Sequence, residues 1–375
     1  MDSEIKILFM SDIHLGIRPN DTHIPDYARV NTFKRIAAIA RGHDLFLIGG
    51  DLIDNASVGS DIIDIIRTEF RALRNAGTEI VYTPGKGELT SRNVIAPPVL
   101  DFNASCLFSS TMTATPYLYM KNGQKVYVYG LSGSLGYDLS KVKKISEEGF
   151  HIGLFHADFD FDNEKNDYLV YRLQKNDIKT LGLDFYAFGY CHSFKMFKIM
   201  DRIIGVCPGS PEATSFDETG DRYIISIVIK ENRLYQIKRL TVNSMKLYRD
   251  QVDCSSLVTM GPIKELLENN RSKKAIQQVV LTGERDFVLR QYEIQNYRSE
   301  FFRLDFIDRS VPTIDSLIEE FQYENSLRGE FYKIIKEQID QGGLPHDIDK
   351  TDFALSLNKI TRDGFTNLED WLCSI

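Results

Sequence analysis

Short apolar runs alternate with amphipathic stretches from the start of the chain to about residue 243. IKILFM (Ile5–Met10) and DLFLIGG (residues 44–50) predict buried strands, and apolar residues recur at helical spacing over residues 30–40 between them. A second helix is predicted to begin near Ser60, a favourable N-cap residue, and to end at Gly77. This order of strand, loop, helix and strand indicates a layered α/β domain with helices outside strands.

The same pattern continues through the rest of the first 243 residues. The break KENRL within IVIKENRLYQIKRL predicts a hairpin turn between two strands. The further predicted strands are residues 79–83, 125–131, 151–156, 184–189, 202–207 and 222–230. We therefore predict a first domain over residues 1–243.

The pattern changes after Met245. The stretches PIKELLENN, AIQQVVLTG and EFFRLDFIDRS predict a helix and two strands, which we assign to a small α/β cap over residues 244–312. Residues 313–375 predict a C-terminal helical segment, which contains one long helix or two with a break near Gly329.

Composition and charge exclude some classes of protein. The net charge of −8 argues against coating nucleic acid by bulk attraction, so DNA binding requires a local patch. Residues 263–310 carry nine Lys or Arg against eight acids and are nearly neutral. With no long apolar run, no basic leader and five cysteines without a C-x-x-C pair, we expect a cytoplasmic protein with free thiols, no disulfide and no structural zinc.

Polar side chains follow several of the predicted strands at the point where each strand ends. These are Asp12 and His14 in SDIHLG, Asp51 in GGDLID, His156 in HIGLFH, and His192 in GYCHSF. The carboxyl ends of strands are where α/β folds build their sites. Carboxylate and imidazole together suit manganese, iron or zinc, and an aspartate can bridge two ions.

These residues fall into the order of a known signature. D-x-H, G-D, G-N-H-[DE], a strand-terminal His and G-H-x-H correspond to DIH, GD, GKGE, FH and GYCH here. The chain thereby resembles the calcineurin-like metallophosphoesterases. CPGSPEATSFDE (residues 207–218) is similar to the P-G-S-x-x-x-x-S-F-x-E stretch of the SbcD-type DNA repair nucleases, called Mre-eleven nucleases in eukaryotes and archaea.

The resemblance carries several expectations. It implies a four-layer α/β/β/α sandwich with a small cap and C-terminal helices, two manganese ions, and a homodimer formed through helices of the first domain. It also implies that the cap engages DNA, for which Arg285, Arg290 and Arg298 are the candidates, and that the C-terminal helices bind the coiled coil of an SbcC-like ATPase. The aromatic residues of RQYEIQNYRSEFFR either stack on DNA bases or alternate into the core of a strand.

The chain departs from the family pattern on one side of the expected site. Carried over by position, the first metal site keeps Asp12, His14, Asp51 as the bridge, and His192. The second keeps only Asp51 and His156, because Lys86 stands at the Asn position and Tyr190 at a His position. Gly87 replaces the proton-transferring His, a loss that typically costs about 10²- to 10⁴-fold in rate. We expect one manganese ion and regard the second as doubtful.

Two substituted positions leave alternatives open. Lys86 either places its ammonium where the missing ion would lie or points into solvent. Tyr190 either ligates a metal as phenolate or fills the space as a hydrogen-bonding residue. The leading hypothesis is an SbcD-like subunit for DNA double-strand-break repair with nuclease activity reduced or lost. The alternatives are a catalytically silent DNA-end-binding or scaffold subunit for an SbcC-like ATPase, and a small-molecule phosphodiesterase.

Overall fold

In the computed structural model, the apolar run at the start of the chain forms the first strand, β1 (Ile5–Met10). The structure describes residues 4–17, 22–108, 115–132, 139, 142–159, 173–342 and 350–359. The chain divides into two units, Met1–Lys246 and Leu247–Ile375. Residues 343–349 and 360–375 of the predicted C-terminal segment lie outside the described residues.

The first unit is built on two mixed sheets. In the first sheet the strands lie in the order β12, β11, β1, β2, β3, β4, and in the second in the order β5, β6, β7, β8, β10, β9. These strands are β1, β2 (Leu45–Ile48), β3 (Glu79–Tyr82), β4 (Cys106–Leu107), β5 (Tyr117–Lys121), β6 (Gln124–Ser132), β7 (Phe150–His156), β8 (Phe185–Gly189), β9 (Lys195–Ile199), β10 (Arg202–Cys207), β11 (Tyr223–Lys230) and β12 (Arg233–Thr241). The strands β1 to β4 are parallel, and so are β6, β7, β8 and β10.

Helices cover the outer faces of both sheets. They are α1 (Asp26–Ala40), α2 (Ser60–Asn75), α3 (Pro97–Leu100) and α4 (Lys175–Leu181). The α2 helix ends before Gly77, whose φ of 85° is the left-handed conformation that stops a helix. The predicted Ser60 is the first residue of α2, and Gly59 takes the N-cap position.

Three hydrophobic layers explain why the strands are apolar on both faces. Along β1, Ile7 and Phe9 pack into the layer between the two sheets, whereas Leu8 and Met10 pack against α1 and α2. A third layer lies between the second sheet and α4, around residues such as Tyr186. The predicted four-layer α/β/β/α sandwich is confirmed by this arrangement.

The second unit has a small three-stranded sheet and helices. The sheet order is β13, β14, β16, with β14 and β16 parallel, and β15 pairs in parallel with β17. Its elements are β13 (Lys246–Asp253), α5 (Gly261–Asn270), β14 (Ala275–Thr282), β15 (Glu284–Arg285), α6 (Gln291–Arg298), β16 (Arg303–Asp308), β17 (Val311–Pro312), α7 (Ile314–Phe321), α8 (Leu327–Asp340) and α9 (Lys350–Lys359). One hydrophobic core lies around α5 and β14, and another joins α7, α8 and α9.

Two features of the second unit differ from the sequence-based expectations. The aromatic residues of RQYEIQNYR lie on the helix α6 and not on a strand, so their alternation along the sequence does not place them on one sheet face. The predicted break in the C-terminal helix falls at residues 322–326, while Gly329 lies inside α8. Within the described residues, no helix is both long and apolar enough to cross a membrane.

Candidate metal centre

The parallel strands of the first unit bring the predicted metal ligands to one edge of the sandwich. Asp12 and His14 follow β1, and Asp51 follows the neighbouring strand β2. His156 is the last residue of β7, and His192 follows the neighbouring strand β8. Because parallel strands end at the same edge of a sheet, residues far apart in sequence meet there.

The loops after β1 and β2 are held side by side by their backbones. Asp12, His14 and Asp51 have φ values of 57°, 51° and 48°, a left-handed conformation that non-glycine residues adopt only when the surroundings impose it. The backbone N–H of Asp12 donates to the carbonyl of Gly50 at 3.0 Å, and that of His14 donates to Asp51 at 2.9 Å. These strained turns direct the side chains of both loops into a common site.

The first ligand cluster consists of Asp12, His14 and His192. One ligand atom from each of them lies within 4.8 Å of the others. The Nε2 atoms of His14 and His192 are 3.3 Å apart, and Nδ1 of His192 lies 2.9 Å from Glu218 Oε1. A carboxylate can only accept, so Nδ1 of His192 donates and its Nε2 faces the site. Two ring nitrogens that face each other this closely require a shared proton or a shared cation.

The second ligand cluster consists of Asp12, Asp51 and His156. Nδ1 of the fully buried His156 donates to the carbonyl of Gly49 at 2.7 Å. Its Nε2 is 3.5 Å from Asp51 Oδ2 and has no hydrogen-bond partner among the described residues. A buried acceptor nitrogen without a donor fits a metal ligand, so the residues present fit a divalent ion.

The pKa values of the ligand residues are shifted by burial and by the negative charge of the neighbouring carboxylates. Burial raises the pKa of Asp12, and the nearby His156 and His192 partly oppose that shift. Burial by itself lowers the pKa of His192, but its hydrogen bond to Glu218 and the charge of Asp12 outweigh burial and raise the pKa to about 9. For His156, burial is likewise outweighed by Asp51 and Asp12, so its pKa is raised. The acidic side chains around the site thus favour positive charge on His192 and His156.

The GKGE loop holds the bridging aspartate in place. The buried Glu88 accepts hydrogen bonds from the backbone N–H groups of Asp51 at 3.0 Å, Ile53 at 3.1 Å and Gly85 at 2.6 Å. The N–H of Gly87 donates to Asp51 Oδ1 at 2.7 Å. Glu88 thus acts as a clamp between this loop and the loop after β2.

The two substituted residues of this loop, Lys86 and Gly87, add no metal ligand to the second cluster. Lys86 is exposed, and its ammonium has no ion-pair partner within the described part of the chain, which favours the solvent-facing interpretation. A Cβ atom at Gly87 would lie 1.9 Å from the carbonyl oxygen of Ile53. The backbone at Gly87 therefore leaves no room for the family's histidine.

Tyr190 lies against the second cluster. Its ring meets the His156 ring edge-on, with the centroids 5.8 Å apart and an interplanar angle of 87°. Its backbone N–H donates to the carboxylate of Asp12 at 3.0 Å. These contacts favour the space-filling interpretation over a phenolate ligand.

Sequence reasoning missed the carboxylates behind the histidines. Glu218 contacts His192, and Asp54 Oδ1 lies 3.3 Å from Nδ1 of His14, although outside hydrogen-bonding geometry. Glu218 is the final residue of CPGSPEATSFDE. The similarity of this stretch to the SbcD-type sequence was therefore the available sign that Glu218 belongs to the site.

One residue predicted to contact DNA in the second unit has a different environment. Arg285 is buried, and its guanidinium donates to Ser310 Oγ at 3.1 Å and to the carbonyl of Phe287. We therefore assign Arg285 a structural role and not the predicted DNA contact. Arg290 and Arg298 are exposed on or beside α6, and Arg290 lies 3.7 Å from the carboxylate of Glu293.

Comparison with known proteins agrees with this geometry. Residues 5–181 match the family model described as calcineurin-like phosphoesterase, a range that includes Asp12, His14, Asp51 and His156 and ends before His192. A Bacillus subtilis (strain 168) protein named uncharacterized metallophosphoesterase YhaO is 21% identical over 399 aligned positions, covering 96% of this chain and 91% of the relative. Residues 5–181 are therefore similar to the calcineurin-like phosphoesterases, and they lie within the first unit of the structure.

Proposed function

We propose that the protein is an SbcD-like subunit directed at DNA ends, with one strong manganese site and a low rate of phosphodiester hydrolysis. The observation that carries the proposal is the convergence of Asp12, Asp51 and the ring nitrogens of three histidines at one edge of the sandwich. The similarity of CPGSPEATSFDE to the SbcD-type stretch supports DNA as the substrate.

The residues divide the work at this site. Asp12, His14 and His192 would hold the first ion, and Asp51 with His156 would face a second position. A divalent ion supplies Lewis-acid polarisation of a phosphoryl oxygen and a nucleophile at neutral pH. The backbone N–H of Gly87 and the Glu88 clamp orient Asp51, and no side chain at residue 87 is available to move a proton. Loss of such a group typically costs about 10²- to 10⁴-fold in rate.

The test is manganese-dependent nuclease activity on linear and single-stranded DNA. We expect a slow rate in the unaltered protein and its loss in Asp51→Asn, while Asp201→Asn, an exposed turn residue of the same unit, leaves the rate unchanged. A fast rate that disappears in Asp51→Asn would contradict the predicted loss of activity. A rate that is equal in all three proteins would contradict hydrolysis at this centre.

A second candidate is a catalytically silent subunit that binds DNA ends or forms a scaffold for an ATPase. The closed backbone around Gly87 favours it, because even a methyl group there would collide with the carbonyl of Ile53. This candidate predicts DNA or partner binding that a chelator does not affect, together with no turnover. In the same assays, binding that is lost on chelation would contradict it.

The proposed partner is an SbcC-like coiled-coil ATPase, and the proposed assembly is a homodimer. Leu327 and Ile334 lie seven residues apart on α8 and are 44% and 56% exposed, a spacing that suits docking of one helix face in an apolar groove. Leu327→Asp together with Ile334→Asp should abolish co-purification with the ATPase subunit. Lys333→Asp, between them on the same helix, is the control for added charge.

A further inference from the structure

A buried carboxylate stands directly behind one of the candidate metal ligands. Glu218 is 5% exposed, and its Oε1 accepts from Nδ1 of His192 at 2.9 Å. The same oxygen accepts from the hydroxyl of Thr214, which also lies 2.8 Å from Nδ1 of His192. The acidic side chain therefore occupies the ring nitrogen that points away from the metal centre.

The second oxygen of Glu218 anchors the carboxylate. Oε2 accepts from the backbone N–H of Thr214 at 3.0 Å, from the hydroxyl of Ser210, and from the Arg222 guanidinium at 3.4 Å. Arg222 in turn donates to the carbonyls of Ser210 and His192. With the hydroxyl of Ser215, 3.4 Å from Oε1, the carboxylate is fixed by five donors besides the imidazole, and it cannot move away from the ring without breaking these hydrogen bonds.

We propose that Glu218 is a positioning residue, which fixes the tautomer and orientation of His192 so that Nε2 is presented to a divalent ion. This inference rests on the metal centre of the proposed function. Metal-ligating histidines commonly donate their other ring nitrogen to a carboxylate, and loss of that partner typically lowers metal affinity by about 10- to 100-fold. The 3.3 Å separation of the His14 and His192 Nε2 atoms is the geometry that this contact maintains.

The same segment contains a matched control. Glu212 is also fully buried, but its oxygens accept from the N–H groups of Ser244 and Met245 at 2.8 and 3.0 Å and from the hydroxyl of Thr32. Within the described residues it has no hydrogen bond to a candidate ligand. Both glutamates are therefore buried and accept from backbone N–H and hydroxyl groups, but only Glu218 contacts a ligand histidine.

The experiment measures Mn²⁺ affinity by calorimetric titration, the visible spectrum of bound Co²⁺, and urea unfolding of the chelated protein. Glu218→Gln is expected to weaken Mn²⁺ binding about 10- to 100-fold and to alter the Co²⁺ spectrum. Glu212→Gln is expected to lower the urea midpoint but to change the affinity less than about threefold, because it contacts no ligand. Should Glu218→Gln not fold, Glu218→Asp retains the charge beside Arg222 while withdrawing it from His192.

The outcomes separate this inference from the proposed function. Unchanged Mn²⁺ affinity and Co²⁺ spectrum in the Glu218 variant would overturn the positioning role and leave the metal centre intact. Equal losses of Mn²⁺ affinity in the Glu218 and Glu212 variants would show that Glu218 acts only through the stability of the fold. That result would also overturn the positioning role. Absence of Mn²⁺ and Co²⁺ binding by the unaltered protein would overturn the metal centre together with this inference.

Discussion

The two sides of the candidate metal centre are built differently. On the first side, His14 and His192 each have a carboxylate near Nδ1, and their Nε2 atoms face each other at 3.3 Å. On the second side, His156 is held by the backbone carbonyl of Gly49, and the substituted loop positions supply no further side-chain ligand. The departures from the calcineurin-like signature are thus confined to the second side. The first side keeps its ligands for one ion, whereas the second lacks the side chains that the signature places there.

Removing one ligand from each side should give the largest difference in metal affinity between the two sides. His192→Ala takes one of three ligands from the first cluster, so Mn²⁺ affinity should fall at least about 100-fold, or close to 3 kcal/mol, more than loss of a supporting residue. His156→Ala should reduce the affinity for the first ion less than about tenfold. Calorimetric titration with Mn²⁺ measures both.

The burial of His156 requires a control for folding. His156 is fully buried, and truncation leaves a space, so chelated samples of both variants should be compared by urea unfolding. The asymmetry of the site would be wrong if His156→Ala lost as much affinity as His192→Ala while its unfolding midpoint stayed normal.

The closed backbone at residue 87 gives the next largest effect. In Gly87→Ala the new Cβ meets the carbonyl oxygen of Ile53 at 1.9 Å, so the loop must shift, at a cost of about 2 kcal/mol in the free energy of unfolding. In Gly42→Ala the nearest atom is 3.5 Å away, and the change should stay within about 0.5 kcal/mol. Urea unfolding of the two variants provides the measurement.

The same clash predicts the result of restoring the histidine of the signature at residue 87. Gly87→His adds a proton-transferring group, but the backbone does not accept its Cβ, so nuclease activity should not rise. A gain of about 10²-fold, the lower part of what a positioned acid or base contributes, would contradict this prediction. It would mean that the loop opens at little cost.

The positions of the ligands were predictable because they lie at or just after the ends of buried apolar strands. IKILFM is apolar except at Lys6, and HIGLFH is apolar between its two histidines, since β1 and β7 are covered on both faces; the ends of these runs locate Asp12 and His156. The protonation of the histidines and the tightness around Gly87 depend on residues far away in sequence. The pKa of His192 depends on Glu218, at the end of the CPGSPEATSFDE stretch, whereas the tightness at Gly87 comes from the carbonyl of Ile53, which no local pattern reveals.

The second unit was less predictable for a related reason. The stretch at α6 combines aromatic, charged and amide residues at a spacing that fits either a strand or a short helix, and tertiary packing of Ile294 decides between them. Arg285 appeared to be a DNA contact because charge in a sequence does not disclose burial. Its partner Ser310 lies 25 residues away in sequence, although Phe287 lies only two residues away.

The smallest predicted effect is a pH dependence that originates on the first side. In the metal-free protein the raised pKa of His192, about 9 against an ordinary 6.5, means that its ion pair with Glu218 stabilises the fold fully below about pH 6.5. That contribution is lost as the pH rises towards 9. The loss should be modest, because the His192 side chain is 34% exposed and solvent screens the pair. Urea midpoints of the chelated protein at about pH 6 and pH 9 measure it, and Glu218→Gln should flatten the difference. A chelated protein that gains stability over this interval relative to Glu218→Gln would contradict the ion pair.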